Sequence, residues 1–378
     1  MRNSAILEQF PWTQAPIIAN APMSGIATSE LAVAVTREGG LGLIGFLDNP
    51  HMLDVQLQHA KVLLQNKQAK ADCAMQEVGA KTGMDGDADT DVLPVGVGVI
   101  VFGMSVSSFL PLIAKHRPAI IWLSFGETKD FEVWTEGIRA TSPRTKVWVQ
   151  VGTVGAALHS ARACHPDALV LQGSDAGGHG HARGSSVIAL IPEVSDVLFE
   201  DGFRESKKIP LVAAGGIMDG RGVAAAMALG VSAVVMGTRF LGAYETNIPE
   251  EYRREILSAS DGGESTVRSR VFDEMWFPSA WPETYDGRCL RNTCYDDWNR
   301  GVPIDEIRAK LYATASRVGS EDGSFRDASS LWAGTGVGLV KSIEKAGDIV
   351  KTVREDARQC LRDTFLMYWS QYWESASS

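Results

Sequence analysis

The sequence predicts an α/β chain folded as a TIM (β/α)8 barrel, with a smaller lobe inserted after the eighth strand. Three observations predict it. Eight short apolar runs alternate with helical segments, mostly at a period of about 25–50 residues. Each run is nearly continuous in apolar residues, the pattern of a parallel strand buried on both faces. Gly215-Gly216 and Gly237-Thr238 follow the last two runs, where barrels of this class commonly hold a phosphate.

The first run, 16–21 (PIIANA), ends in Pro22-Met23-Ser24-Gly25. A helix is expected over 29–38, with Ser29 as its N-cap and Gly39-Gly40 as its stop. The second strand is 41–46 (LGLIGF). A long amphipathic stretch from 52 to 80 and a polar surface loop at 83–91 (GMDGDADTD) follow. The third strand, 93–101 (LPVGVGVIV), leads to a helix over 107–115 and the fourth strand, 119–123. Helices over 128–140 and 153–163 flank the fifth strand, 146–151 (KVWVQV). The sixth strand is 168–171, followed by a helix over 187–199. The seventh is 209–214 (IPLVAA). Asp219 caps the next helix, Gly230 stops it, and 233–236 (AVVM) is the eighth strand.

From residue 243 the texture changes. Trp276, Pro278, Trp281, Pro282, Tyr285, Tyr295 and Trp298 crowd an irregular stretch. The chain therefore divides into a barrel over 1–242, completed by a C-terminal helical segment within 339–378, and an inserted lobe over 243–338. The amphipathic pattern of that last helix spans 339–366, and the glycine-rich 333–338 (AGTGVG) leads into it. The aromatic density of the lobe suits either an ordinary core or a cover over an apolar pocket.

Composition narrows the function. With 45% hydrophobic and 22% charged residues, this is an ordinary globular chain. A net charge of −10 and scattered Lys/Arg give no footprint for nucleic acid or an anionic membrane. No apolar stretch has membrane-spanning length, and no basic-then-apolar leader opens the chain. The five cysteines are an odd, dispersed set. Cys289 and Cys294 lie close, but one such pair does not make a zinc site, and reduced thiols in the cytoplasm are expected. Monomer and homodimer both remain open.

The chemistry concentrates in 167–182, DALVLQGSDAGGHGHA. A buried strand runs into a glycine-rich turn at its C-terminal end. Gly177 and Gly178 strip the backbone of side chains, so that a flat ligand can approach. His179 follows, a ring that exchanges protons near neutral pH. A metal shared with His181 is disfavoured, since no acidic or cysteine partner is spaced to complete it. Gly215-Gly216 and Gly237-Thr238 form the candidate phosphate loops. Gly96 and Gly98 do not open a dinucleotide fingerprint, because position 101 is Val101.

Together these segments resemble the nitronate monooxygenase family, formerly 2-nitropropane dioxygenases. The matching pieces are 21–25 (APMSG), 38–42 (EGGLG), 172–180 (QGSDAGGHG), 212–217 (VAAGGI), 235–240 (VMGTRF) and 333–339 (AGTGVGL). The resemblance implies an FMN-dependent barrel enzyme that oxidises alkyl nitronates, and nitroalkanes, with O2 to carbonyl compounds and nitrite. It implies that Pro22, Met23 and Ser24 contact the flavin ring and that Gln150 and Gln172 bond its polar edges. Gly177 and Gly178 would lie against it, while Ala214, Gly215, Gly216, Gly237 and Thr238 would hold its phosphate. His179 would be the catalytic histidine. The chain departs from several relatives at Gly98 and Val99, where they carry a polar residue, and from some at Gln150, where they carry a basic one. Two alternatives share the architecture: a flavin-dependent enoyl-thioester reductase using NAD(P)H, and a catalytically silent flavin-binding protein.

Overall fold

The computed structural model describes residues 4–78, 92–203, 208–315 and 324–375. The expected polar loop at 83–91 lies outside them. All eight expected strands form. Their cores are Ile18–Asn20, Leu43–Ile44, Leu93–Ile100, Pro118–Ser124, Lys146–Val151, Ala168–Gln172, Leu211–Ala214 and Ala233–Met236. They pair in parallel in the order one, eight, seven, six, five, four, three, two. A bridge between Ala19 and Leu41, with the Leu41 amide donating to the Ile18 carbonyl at 3.0 Å, joins strands one and two and closes the ring.

Alternation along each strand divides the core into two layers. Ala19, Leu43, Ile120, Trp122, Trp148, Val170, Val212 and Val235 point into the barrel. Ile18, Ile44, Val97, Ile121, Val149, Leu171, Ala213 and Val234 point outward to the helices. Both faces are thus dry, which is why the strands read as unbroken apolar runs. The lower interior is filled by Trp148 and Trp122, ring centroids 6.3 Å apart, with Phe10 against Trp148 at 6.0 Å. Strand three faces this crowded interior with Gly96 and Gly98. A Cβ on Gly96 would come within 2.3 Å of Leu43, and one on Gly98 within 2.6 Å of Pro22.

Helix ends follow local chemistry. The Asp219 side chain accepts from the amides of Arg221 and Gly222, capping Gly220–Ala228. Thr153 caps Val154–Cys164 through the Ala156 amide, and Glu127 with Asp130 makes a reciprocal box at Thr128–Thr141. Each such cap is worth about 1 kcal/mol. The expected Ser29 cap is displaced by one residue: Thr28 takes the N-cap position, and Ser29 is the first helical residue, its hydroxyl bonded to His59.

Two further expectations change. The last helix begins at Ala346, not at 339, and 335–339 instead form a short 3-10 turn. The Gly334 amide donates to Thr238 Oγ1 at 2.9 Å and the Thr335 hydroxyl to Asp175 Oδ1 at 3.1 Å. These bonds hold the glycine-rich stretch on the barrel, so it cannot lead straight into a helix. The helix that follows, Ala346–Ser375, packs on Gly220–Ala228 and Ser29–Arg37. Its Arg354, 3% exposed, donates to the carbonyls of Pro16, Glu38 and Gly39. Burial pulls that guanidinium down to about 10.

The second change concerns 178–181, expected as part of a turn. Gly178–His181 is a strand, the edge of a second sheet with Tyr285–Leu290 and Thr266–Ser269. All pairings are antiparallel, and Gly287 stands opposite His179. The free edge of Tyr285–Leu290 supplies the backbone partners that a Gly-His-Gly-His sequence does not advertise. The second sheet therefore sits over the C-terminal ends of the barrel strands.

Candidate active site

A cavity of about 460 Å³ opens at the C-terminal end of the barrel. Every residue that the resemblance assigns to cofactor or catalysis lines it: Pro22, Met23, Ser24, Gln150, Gln172, Gly177, Gly178, His179, Ala214, Gly215, Gly216, Gly237 and Thr238. Trp122 forms part of its floor, and Trp281 and Trp332, from the second-sheet region, complete its rim.

One wall is bare backbone. Gly215 and Gly216 adopt φ of +102° and +76°, a region that side chains rarely enter. A Cβ on Gly215 would lie 2.8 Å from the Gly173 carbonyl oxygen, and one on Gly216 would lie 2.9 Å from Asp175 Cβ. Gly177 is pressed so closely on Ala333 and Gly334 that a Cβ would come within 2.5 Å of their backbone. Gly178, at φ +72°, has nothing within 4 Å of where its Cβ would stand. Thr238 accepts the Gly334 amide through its hydroxyl oxygen, so its own proton remains free to donate.

A polar relay crosses the floor. Trp122 Nε1 donates to Gln150 Oε1 at 3.1 Å, Gln150 Nε2 to Gln172 Oε1 at 3.1 Å, and Gln172 Nε2 to the His179 carbonyl at 3.0 Å. The indole can only donate, so the relay fixes the sense of both amides. Each amide keeps a second N–H for a ligand.

His179 sits inside a ring of aromatics. It stacks on Trp281 with centroids 3.6 Å apart and planes 5° apart, and Trp332 and Phe125 flank it at 4.6 and 6.3 Å. Phe125 itself has φ +58°, unusual for a bulky residue and a mark of backbone held by its surroundings. Nε2 of His179 lies 2.6 Å from Asp273 Oδ1. The Asp273 side chain is 5% exposed, and its Oδ2 is buried without a partner among the described residues. His181 does not line the cavity. It packs beside Gly152 and Tyr285, and burial, then Arg183 and Arg268, hold its ring below the usual histidine range.

Asp273, Trp332 and Phe125 escaped the sequence reading, and Trp281 entered it only as one of the lobe's crowded aromatics. Phe125 follows strand four directly, and the rule that barrels work at strand ends points to it. Asp273 gave no such signal: it lies 94 residues from His179, on a four-residue helix, Val271–Glu274.

Fold and cavity define an enzyme-type barrel with a glycine wall on one side and a caged histidine on the other. The same fold is found in FabK from Thermotoga maritima (TM-score 0.68, 23% identity, covering 95% of this chain and 97% of that one). It is found too in nitroalkane oxidase from Streptomyces ansochromogenes (TM-score 0.68, 20% identity, covering 96% and 98%). The family model for nitronate monooxygenase matches residues 7–356. Nitronate monooxygenase npaC of Metarhizium robertsii is 37% identical over 361 residues, covering 94% of this chain and 95% of that relative. A nitronate monooxygenase of Neurospora crassa is 38% identical over 368 residues, covering 93% and 92%. The chain belongs to the nitronate monooxygenase family and is an oxidoreductase.

Proposed function

We propose that this protein binds FMN in the cavity and oxidises alkyl nitronates, and neutral nitroalkanes, with O2 to carbonyl compounds and nitrite. The observation that carries the reading is the meeting in one cavity of two glycine loops, after strands seven and eight, with a caged histidine. The family relatives at 37% and 38% identity support it. The likeness in fold is equal for FabK and for nitroalkane oxidase, so fold alone does not assign the reaction.

The residues present fit the cofactor. Gly215, Gly216, Gly237 and Thr238, with Ala214, offer backbone amides and one hydroxyl to a phosphate. Gly177, Gly178, Pro22, Met23 and Ser24 leave the flat surface an isoalloxazine ring needs, and Gln150 and Gln172 face its polar edges. FMN, when bound, supplies one-electron and oxygen chemistry. The protein supplies the proton chemistry. His179 takes the α-proton of a neutral nitroalkane, and the C–H electron pair becomes the C=N bond of the nitronate. The resulting imidazolium then holds the anion. A base so placed is worth about 10²–10⁴-fold. The aromatic rim of Trp281, Trp332 and Phe125 excludes water and favours short apolar chains.

In this reading 1–242 and 339–378 make the FMN barrel, and 243–338 make the lobe that covers it. The cytoplasm is the proposed compartment, supported by the unpaired buried thiols Cys164, Cys289 and Cys294. Substrate and O2 are the only partners it requires, and it accommodates a monomer or a homodimer. Oxygen uptake with a nitronate, set beside NADPH oxidation with an enoyl thioester, tests it. Thioester reduction without nitronate-dependent oxygen uptake would overturn it.

A further inference from the structure

We infer that Asp273, reaching in from the covering lobe, decides which nitrogen of His179 meets the substrate: it keeps the proton on Nε2 and leaves Nδ1 as the base. The inference rests on the reading of His179 as proton acceptor and specifies the atom.

A carboxylate only accepts, so the 2.6 Å contact to Asp273 Oδ1 requires Nε2 to carry hydrogen. Nδ1 is then the lone-pair nitrogen, and no hydrogen bond occupies it among the described residues. Stacking on Trp281 fixes the plane of the ring but not its sense. A half-turn about the Cβ–Cγ bond returns the ring to that plane but exchanges Nε2 with a carbon, and Asp273 would lose this hydrogen bond. Asp273 is 5% exposed with Oδ2 already orphaned, so losing its one bond would carry a large desolvation cost. The carboxylate therefore selects one of two otherwise equal ring orientations. It also faces the positive charge that the ring acquires on taking a proton. Because Val271–Glu274 lies in the chain between Thr266–Ser269 and Tyr285–Leu290, the strands of the sheet whose edge is Gly178–His181, the lobe both covers the base and aims it. Asp273 is thus a positioning residue, acting through His179.

The test uses holoenzyme labelled with ¹⁵N-histidine. His179 is assigned by the signals missing in His179→Asn, and long-range ¹⁵N–¹H correlations report its tautomer. The expected wild-type result is hydrogen on Nε2. In Asp273→Asn that signature should be lost or mixed, and kcat/KM for a neutral nitroalkane should fall about 10–100-fold, with a much smaller loss for preformed nitronate. Hydrogen on Nδ1 in the wild type overturns the inference, and needs no variant that folds. A tautomer indifferent to Asp273→Asn overturns it as well. The underlying reading fails separately: it fails if His179→Asn, with flavin still bound, turns over nitroalkane as well as the wild type does.

Discussion

The two walls of the cavity are built by opposite means. On the barrel side, short loops after strands seven and eight carry almost no side chains, and rigid parallel strands hold them. On the lobe side, rings fill the space, and a backbone ladder together with a separate apolar cluster positions them. One wall presents amides at fixed places, while the other presents shape and a titratable ring. Under the proposed function, affinity for a cofactor falls to the glycine wall, and proton chemistry to a barrel-segment histidine held among aromatic rings. Substitutions on each wall should then fail in different ways.

The largest effect is expected on the barrel wall. Gly216→Asp forces a side chain into φ +76° against Asp175 and sets a carboxylate where an anion should bind. The purified variant should carry almost no flavin by absorbance. Gly216→Ala separates strain from charge: if it loses as much flavin as the aspartate variant, conformation alone is responsible. A wild type that is colourless and takes up no added FMN would break the comparison outright.

Next comes His179→Asn, which retains flavin but should lose at least about 10²-fold in kcat/KM on neutral nitroalkanes. Preformed nitronates should lose much less, since their proton is already gone. Equal losses on both would assign His179 to binding. His181→Asn should leave both within about threefold, because that ring packs outside the cavity.

Trp281→Ala removes the face on which His179 stacks. A fall in kcat/KM of about tenfold for short alkyl substrates is expected, equivalent to ~1.4 kcal/mol, with bound flavin unchanged. Loss of flavin instead would show that the aromatic wall also holds the cofactor.

The smallest effect lies on the outer ring of helices. His116, then Lys115, hold the Asp54 carboxyl down to about 2 from its usual 3.8. A depressed carboxylate stabilises the fold above its unfolded pKa and loses that contribution as pH falls through the folded value. The Tm of wild type should exceed that of Asp54→Asn by about 1 °C at neutral pH. The gap should close between about pH 4 and pH 2. A gap independent of pH would assign the effect to packing.

These walls differ just as much in how legible they were. The barrel strands could be read because burial on both faces writes itself into consecutive apolar residues. His179 could be read because it stands in the glycine-rich stretch that follows one of those strands. Gly178–His181 could not be read as a strand, since two glycines and two histidines carry no apolar alternation and its pairing depends on an edge about a hundred residues further on. Thr266–Ser269 and Tyr285–Leu290 likewise mix charged and apolar residues without a clean period. Asp273 is defined only by folding, through its contact with a ring 94 positions earlier. The displaced start of the last helix has the same origin: bonds from Gly334 and Thr335 to distant side chains override the local pattern.

The Arg354 clamp has a consequence for synthesis. Its guanidinium ties backbone carbonyls at Glu38 and Gly39, some 315 residues earlier, beside the seam between strands one and two. A ribosome delivers strand one long before this arginine. Until 346–375 emerges, the outer face between Ser29–Arg37 and Gly220–Ala228 lacks the helix that packs on both. The nascent barrel therefore waits with one flank uncovered, and a chain interrupted before Arg354 should be recognised by chaperones and proteases as unfinished.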